Sequence, residues 1–169
     1  MKSRGSTPDR LGGYKGNYLN APHGAETEIY GMGMYTELLL KAQLKDEAPD
    51  SVRGVLRFLF NKGAEPEELP NHPFFTLDRW SQIGRCSSAY HIPWTDSHYD
   101  EEYGYIFSRS DLKNYSGEID ALLSWIAPYL RGEDGMCIGW SWYEESIQPT
   151  LLILSGGAVT SVYPSCDQK

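Results

Sequence analysis

The chain has 169 residues, of which 40% are hydrophobic and 22% charged, so it is long enough for one domain with a full core and too short for two comfortable ones. No apolar run approaches the roughly 20 residues that span a bilayer, and the N-terminus lacks the apolar segment of a signal peptide. We therefore expect a soluble, cytoplasmic protein with no membrane partner.

The net charge of −8 is unevenly distributed along the chain. Residues 32–169 contain eleven basic and twenty acidic residues, whereas residues 1–31 contain four and three. A domain this acidic is repelled by a phosphate backbone, so nucleic-acid binding is disfavoured. An acidic surface can attract a basic protein partner, but a charge that serves solubility alone is the more ordinary interpretation.

Residues 1–31 are rich in glycine and show no hydrophobic period, which predicts a flexible or loosely packed N-terminal extension. One α+β domain is expected over residues 32–164, with a loose tail at 165–169. The domain begins with a strand over 34–45, because its apolar residues alternate along the segment and leave one face wet.

The next element is a helix that follows Pro49, a residue suited to the first turn because its missing N–H costs nothing there. Lys62 and Gly63 supply the basic last turn and the glycine stop. An apolar stripe at helical spacing marks the buried side, and its members are Val52, Val55, Leu56, Leu59 and Phe60.

The middle of the chain alternates loops and short strands. A loop is predicted over 63–73, a short strand or turn over 74–80, a strand over 83–92, a polar loop over 94–102 and a strand over 103–108. In the last of these strands Tyr103, Tyr105 and Phe107 share one face.

A second helix follows a turn at 111–115, with Asn114 or Ser116 as its N-cap. Pro128 removes a backbone donor, so we expect it to bend or shorten the last turn. Trp125 is placed near the edge of the buried stripe, whose members are Ile119, Leu122, Leu123, Ile126 and Leu130.

Three strands complete the domain, over 136–145, 150–155 and 158–163. Trp140 and Trp142 fall on one face of the first strand and Tyr143 on the other. The second strand is continuously apolar, as expected of a strand covered on both faces, and two glycines after it predict a tight turn.

This order of elements predicts a two-layer α+β sandwich in which two helices cover one face of a largely antiparallel sheet. The first six elements, read as βαββαβ, are compatible with a ferredoxin-like core that carries extra strands. Other strand orders stay open.

Asp96, His98 and Asp100 are the best metal candidates, because alternate residues can point the same way and offer oxygen and nitrogen ligands. Their spacing matches no strong motif, and a solvated acidic loop is the more ordinary interpretation of such a charge run. The loop at 96–102 keeps one alternative open, a small enzyme or a nucleotide- or metal-binding protein.

A thiol nucleophile would require Cys86 with His91 or His72 as its base. Positions 86 and 91 differ by an odd number, so on one strand they point to opposite faces. The three cysteines, Cys86, Cys137 and Cys166, match no disulfide or zinc framework and are interpreted as reduced thiols. No phosphate-loop, zinc-protease or serine-hydrolase motif occurs, so no catalytic residue and no cofactor are predicted.

An aromatic set with acidic neighbours is the candidate binding surface. Its members are Tyr103, Tyr105, Phe107, Trp140, Trp142, Glu144 and Glu145. If the open side of the sheet carries the aromatic residues, they can anchor a protein partner; the alternative is packing beneath the helices. Base stacking is disfavoured because the charge has the wrong sign for phosphate.

The segments MYTELLLKAQLKDEAPDSV and IFSRSDLKNYSGEIDALLSWIAPYL resemble small proteins encoded in tailed-bacteriophage genomes, a family with no assigned activity. The resemblance covers residues 34–60 and 103–130. It implies a setting, namely a phage or prophage accessory gene acting in a bacterial cytoplasm, and it implies no site residues.

The sequence therefore predicts a non-enzymatic phage-type accessory protein. Its expected role is to bind, and in one version to inhibit, a host or phage protein through an acidic, aromatic-bearing surface. A virion or assembly component is a further alternative. The sequence predicts no oligomeric state.

Overall fold

A computed structural model describes residues 34–86 and 96–164 of the chain. Within these ranges the strands are β1 (Thr36–Leu44), β2 (Asp96–Tyr99), β3 (Tyr105–Leu112), β4 (Leu130–Arg131), β5 (Met136–Tyr143), β6 (Thr150–Ser155) and β7 (Ala158–Val162). The helices are α1 (Asp50–Asn61) and α2 (Glu118–Ile126). The predictions for residues 1–31 and 165–169 fall outside the described ranges.

Every strand pair in this part of the chain is antiparallel, and the sheet has the order β2-β3-β1-β5-β6-β7. The two-residue β4 pairs with the C-terminal end of β1. It lies on the same side of β1 as β5, which pairs with Thr36 to Leu40. Helix α1 connects β1 to β2, and β3 lies between these two strands. This is the split βαβ arrangement of the predicted ferredoxin-like core, with β4 and β5 together in the place of its fourth strand and β6 and β7 added outside.

The core lies between the helices and one face of the sheet, which confirms the two-layer sandwich. The predicted alternation in β1 places four apolar side chains on this face, namely Leu38, Leu40, Ala42 and Leu44. The predicted stripes of both helices join them in one buried cluster. Each fully buried Leu, Ile or Val contributes about 1.5–3 kcal/mol, so this shared cluster holds the two layers together.

Helix α1 confirms the predicted stripe but corrects both of its ends. Pro49 occupies the N-cap position, one residue outside the first turn where it was predicted. The left-handed residue at the other end is Lys62, with φ of 58°, and not the glycine. Gly63 follows it in a tightly packed position, where a Cβ would lie 3.0 Å from the Arg57 Cγ.

Two short 3-10 helices, Pro73–Thr76 and Trp80–Gln82, replace the strand alternative at 74–80. The strand predicted over 83–92 is wrong over 83–86, where the chain turns, and its remainder lies outside the described residues. The aromatic residues of this segment pack in the helical layer, where the Phe74 ring stacks on Trp125 at 5.7 Å. The Trp80 ring lies 5.6 Å from that of Phe58 on α1, so these apolar residues serve packing against the helices and not a pleated strand.

The polar loop predicted over 94–102 contains a strand, β2. It was missed because only Tyr99 of its four residues is buried, so it shows no apolar alternation. The following strand begins at Tyr105 and continues to Leu112, so Tyr103 lies in the preceding turn and not on the strand face as predicted. The Asp100 carboxylate holds this turn by accepting the N–H groups of Glu102 and Tyr103, each at 3.0 Å.

Helix α2 begins at Glu118 after Gly117, which takes the N-cap position with φ of 72°. Neither predicted residue occupies that position, but the Asn114 side chain still accepts the backbone N–H of Ile119 at 2.9 Å. The α-helix ends at Ile126 and continues as a 3-10 turn through Pro128, which confirms the shortened last turn. In the described residues no helix is both long and apolar enough to cross a membrane.

The three C-terminal strands are confirmed, as is the two-glycine turn, in which Gly156 and Gly157 have φ of 59° and 75°. The expectation that both faces of β6 are covered is half right. Leu152 and Leu154 are buried beneath the helices, whereas Leu151 and Ile153 remain partly exposed on the other face.

Candidate binding surface

The face of the sheet opposite the helices, here called the open face, collects alternate residues from six strands. The pairing register places Glu37, Leu39, Lys41, Gln43, Asp96, His98, Tyr105, Phe107, Arg109, Asp111, Trp140, Trp142, Leu151, Ile153, Ala158, Thr160 and Val162 on it. No helix of the described residues contributes to the buried cluster on this side.

Four of the predicted aromatic residues lie on the open face, on either side of the central strand β1. Tyr105 and Phe107 come from β3 and are 52% and 37% exposed. Trp140 and Trp142 come from β5, are half-buried, and meet edge to face with their ring centroids 6.2 Å apart. The Trp142 indole also donates to the Ser146 carbonyl at 2.8 Å, which fixes the ring against the sheet.

The remaining predicted residues lie at the ends of this face. Tyr103 is in the β2–β3 turn, where its carbonyl accepts a hydrogen bond from the Gln43 amide at 2.9 Å. Glu144 and Glu145 form the turn after β5. The Glu144 backbone N–H donates to the Tyr35 backbone carbonyl at 3.0 Å. The Glu145 carboxylate accepts a hydrogen bond from the Tyr143 hydroxyl at 3.2 Å.

An ion pair with a buried carboxylate lies between the two aromatic groups. The Arg109 Nε donates to the Glu37 carboxylate at 2.5 Å, and Glu37 is buried although it faces away from the core. Sequence reasoning missed this pair because the predicted strand ended at residue 108. The pair also depends on the register between β1 and β3, which the alternation of neither strand contains.

The three predicted metal ligands do not converge. Asp96 and His98 lie on the open face of the edge strand β2, opposite Arg109 and Phe107. The Asp100 carboxylate is engaged by the turn that it holds. Among the described residues no group of three or more His, Cys, Asp or Glu side chains is arranged to hold a metal ion.

The thiol that was weighed as a nucleophile, Cys86, has the wrong environment for that role. Burial raises the pKa of the Cys86 thiol, an effect that Arg79 opposes, so the thiolate that a nucleophile needs is disfavoured. His72 is engaged elsewhere, because its Nδ1 accepts the Phe74 N–H at 3.1 Å and its Nε2 lies 3.4 Å from the Ser124 hydroxyl. The other proposed base, His91, is outside the described residues.

Cys86 lies in a shallow cavity of about 390 Å³ near the N-terminal end of β1. Its lining residues are Tyr35, Arg79, Gln82, Ile83, Cys86, Asp111, Leu112 and Lys113. The Lys113 ammonium lies 5.6 Å from the Tyr35 ring, and the Arg79 guanidinium lies 5.6 Å from the Tyr115 ring, so both cations are held over aromatic faces.

Comparison of the chain with models of protein families, with curated proteins and with solved structures finds no match in any of the three. The function of the chain is therefore inferred from the geometry of its open face.

Proposed function

We propose that the protein is a non-enzymatic binding protein that engages a basic region of another protein through its open face. The observation that carries this proposal is the exposure of Tyr105 and Phe107 on β3 and the partial exposure of Trp140 and Trp142 on β5. These two aromatic groups flank β1 on a face to which no helix of residues 34–86 and 96–164 contributes buried residues. Exposed apolar surface of this kind is characteristic of interaction sites. Aromatic residues supply most of the hot-spot energy in protein interfaces.

The charge around the aromatic residues supports a protein partner over a nucleic acid. Glu144 and Glu145 lie in the turn that follows Trp142, and Asp96 lies on β2 beside the residues of β3. The cations on the face are fewer, and Arg109 is already paired with Glu37. A phosphate backbone would be repelled, whereas a basic protein would be attracted.

The setting of this activity is part of the same proposal. The resemblance of residues 34–60 and 103–130 to phage-encoded proteins supports an accessory role in a bacterial cytoplasm, with a host or phage protein as the partner. Occlusion of a functional surface of that partner is the simplest route to inhibition.

The test compares the wild-type chain with two variants as immobilised baits in bacterial lysate, with retained proteins quantified by mass spectrometry. The double variant Tyr105→Ser/Phe107→Ser removes two exposed rings without changing the charge. Each hot-spot aromatic contributes more than about 1 kcal/mol, so retention of the true partner should fall at least about tenfold.

The matched control is Tyr103→Ser, which removes a ring of similar exposure from the turn and leaves the strand face intact. The proposal requires a basic protein that wild type and this control retain and the double variant loses. A set of retained proteins that is the same for all three baits would refute it.

A further inference from the structure

Strand β7 is an edge of the sheet that the described residues leave uncovered. Its one strand neighbour in this part of the chain is β6. Four of its five side chains are exposed, and none is charged. An exposed edge strand without charge, proline or bulge is a template for pairing with another strand.

The hairpin geometry identifies which backbone groups of β7 face outward. The two-residue turn at Gly156–Gly157 has positive φ at both positions, as a type I′ turn requires, and it joins the closing pair Ser155 and Ala158. Hydrogen-bonded and non-bonded pairs alternate from there, so Thr160 and Val162 bond to β6. The N–H and C=O groups of Val159 and Ser161 therefore point away from the sheet.

The opposite edge of the sheet is protected. The Asn61 side chain at the end of α1 acts as a short piece of strand against β2: its Nδ2 donates to the Tyr99 carbonyl at 2.7 Å and its Oδ1 accepts the Tyr99 N–H at 2.8 Å. Asp96 adds a charge to that edge, and the acidic turn at 100–102 follows it. Charge and coverage are both devices that prevent edge-to-edge pairing.

We propose that β7 pairs antiparallel with β7 of a second copy of this chain, about a two-fold axis at Thr160. This register places Val159 of one copy opposite Ser161 of the other, so all four outward N–H and C=O groups of each strand segment find partners. The two Thr160 residues form the close non-bonded pair at the axis, where Thr–Thr contacts are favourable.

The uncharged strand β7 can accept a second copy as the occupant. Each chain carries −8, and at β7 two copies can meet without bringing carboxylates opposite one another. Across β7 no charged pair forms, because Ala158 meets Val162 and the other positions are uncharged as well. Strand β7 is therefore complementary to itself, whereas the opposite edge strand, β2, is not.

The inference goes beyond the proposed function and does not depend on it. A two-fold axis that pairs antiparallel strands stands perpendicular to the sheet, so the open faces of the two copies lie on the same side. Pairing through β7 would therefore join the two aromatic surfaces into one continuous face and make the protein bivalent toward a repeated partner.

Cysteine cross-linking tests the register. In a background with Cys86, Cys137 and Cys166 replaced by serine, Thr160→Cys places two thiols across the axis on Cα atoms about 4.5 Å apart, within the range of a disulfide. Ser161→Cys is the matched control, because its two copies would be about 8 Å apart and out of range. We expect a disulfide dimer from the first variant at least tenfold more abundant than from the second. Equal yields, or none from Thr160→Cys, would overturn the proposal.

Sedimentation velocity provides an independent measurement on the native chain. The contact is short, so we expect weak dimerisation with a dissociation constant in the micromolar range or above. Thr160→Lys, on an exposed position, places two ammonium groups face to face at the axis and should raise this constant at least tenfold while the far-UV circular dichroism stays unchanged. A wild type that is monomeric up to high micromolar concentration, or a dimer that Thr160→Lys does not weaken, would contradict the pairing.

Discussion

Arg109 does not bond to Leu39, the residue directly opposite it on β1, but reaches diagonally to Glu37, whose carboxylate lies 2.5 Å from its Nε. The Glu37 side chain is 4% exposed and that of Arg109 is 44% exposed, so the guanidinium covers the carboxylate. The open face therefore holds a shielded carboxylate between its two aromatic groups.

This relationship predicts that Arg109→Met destabilises the protein by about 2 kcal/mol, because it leaves a buried carboxylate without its charged donor. The double variant Glu37→Leu/Arg109→Met should recover most of the loss, since it removes the buried charge as well. Urea denaturation of the four proteins of this cycle measures both quantities.

The control for this cycle is Arg57→Met, which breaks an ion pair whose two side chains are both 47% exposed. Exposed pairs contribute less than about 1 kcal/mol, so this variant should remain close to wild type. Equal losses from Arg57→Met and Arg109→Met would show that burial of Glu37 has no energetic consequence.

Gly139 allows β5 to approach β1 at an irregularity in the ladder. The β5–β6 register shifts between Cys137 and Gly139, where the backbone has φ of 154° and a Cβ would overlap the Leu39 carbonyl oxygen. We predict that Gly139→Ala lowers the free energy of unfolding by at least about 3 kcal/mol, as severe overpacking does.

Gly54→Ala is the opposite case and serves as its control. Gly54 lies within α1, and a Cβ there meets no atom within 4 Å. Alanine is the better helix former, so this variant should raise the free energy of unfolding by about 0.5–1 kcal/mol. Thermal and urea unfolding of both variants would reveal the sign, and a neutral Gly139→Ala would contradict the close approach.

We predict that the Asn61 amide cannot be replaced by a carboxylate without loss of stability. Asn61→Asp keeps the acceptor for the Tyr99 N–H but turns a carboxylate oxygen toward the Tyr99 carbonyl, which should cost about 1–3 kcal/mol. Asn71→Asp makes the same chemical change at an exposed position and should stay within about 0.5 kcal/mol of wild type. Matching unfolding midpoints for the two variants would argue against the bridge between α1 and β2.

Cys86 is predicted to be the less reactive of the two described cysteines. Because burial raises its pKa and limits access to the sulfur, Cys86 should be alkylated more slowly near neutral pH than the exposed Cys137. Two variants, each retaining one of these thiols and serine at the other cysteine positions, allow the rates to be measured separately. Faster modification of Cys86 near neutral pH would revive the nucleophile hypothesis.

The raised pKa of Cys86 also makes the folding stability depend on pH. A thiol whose folded-state pKa is raised keeps its proton longer in the folded chain than in the unfolded chain. Folding stability is therefore unaffected by this group below the ordinary thiol pKa of about 8.5, and it declines as the pH rises above that value. The Cys86→Ser variant should lack this decline in urea midpoints measured between neutral and alkaline pH.

The sequence predicted those elements whose periodicity arises from the core. Strand β1 and both helices each have one buried side, so their apolar residues recur at the spacing of the element. Leu38 and Leu40 show the two-residue spacing of a strand, and Val55 and Leu59 the four-residue spacing of a helix. Strand β2 has a single buried residue and gives no such pattern. The aromatic residues Phe74 and Trp80 resembled strand residues but belong to 3-10 turns. Packing against the helices selects the same side chains, because Phe74 stacks on Trp125 of α2 and Trp80 meets Phe58 of α1.

The candidate surface was predictable in part for the same reason. Alternation within β3 and β5 assigned Phe107 and Trp140 each to one face of its strand, and in the described ranges both helices pack on the opposite face of the sheet. The Glu37–Arg109 pair was not predictable from either strand alone, because it depends on the register between β1 and β3. The Asn61 bridge depends on the docking of a helix end against an edge strand, which no local pattern contains.

The amide of Asn61 gives the sheet one closed end and leaves β7 as its other end. A molecule with two adhesive ends would stack without limit into fibres, whereas a molecule with a single adhesive end is saturated by one like neighbour. Growth would therefore halt at a pair of chains, and loss of that one asparagine would threaten solubility as well as stability.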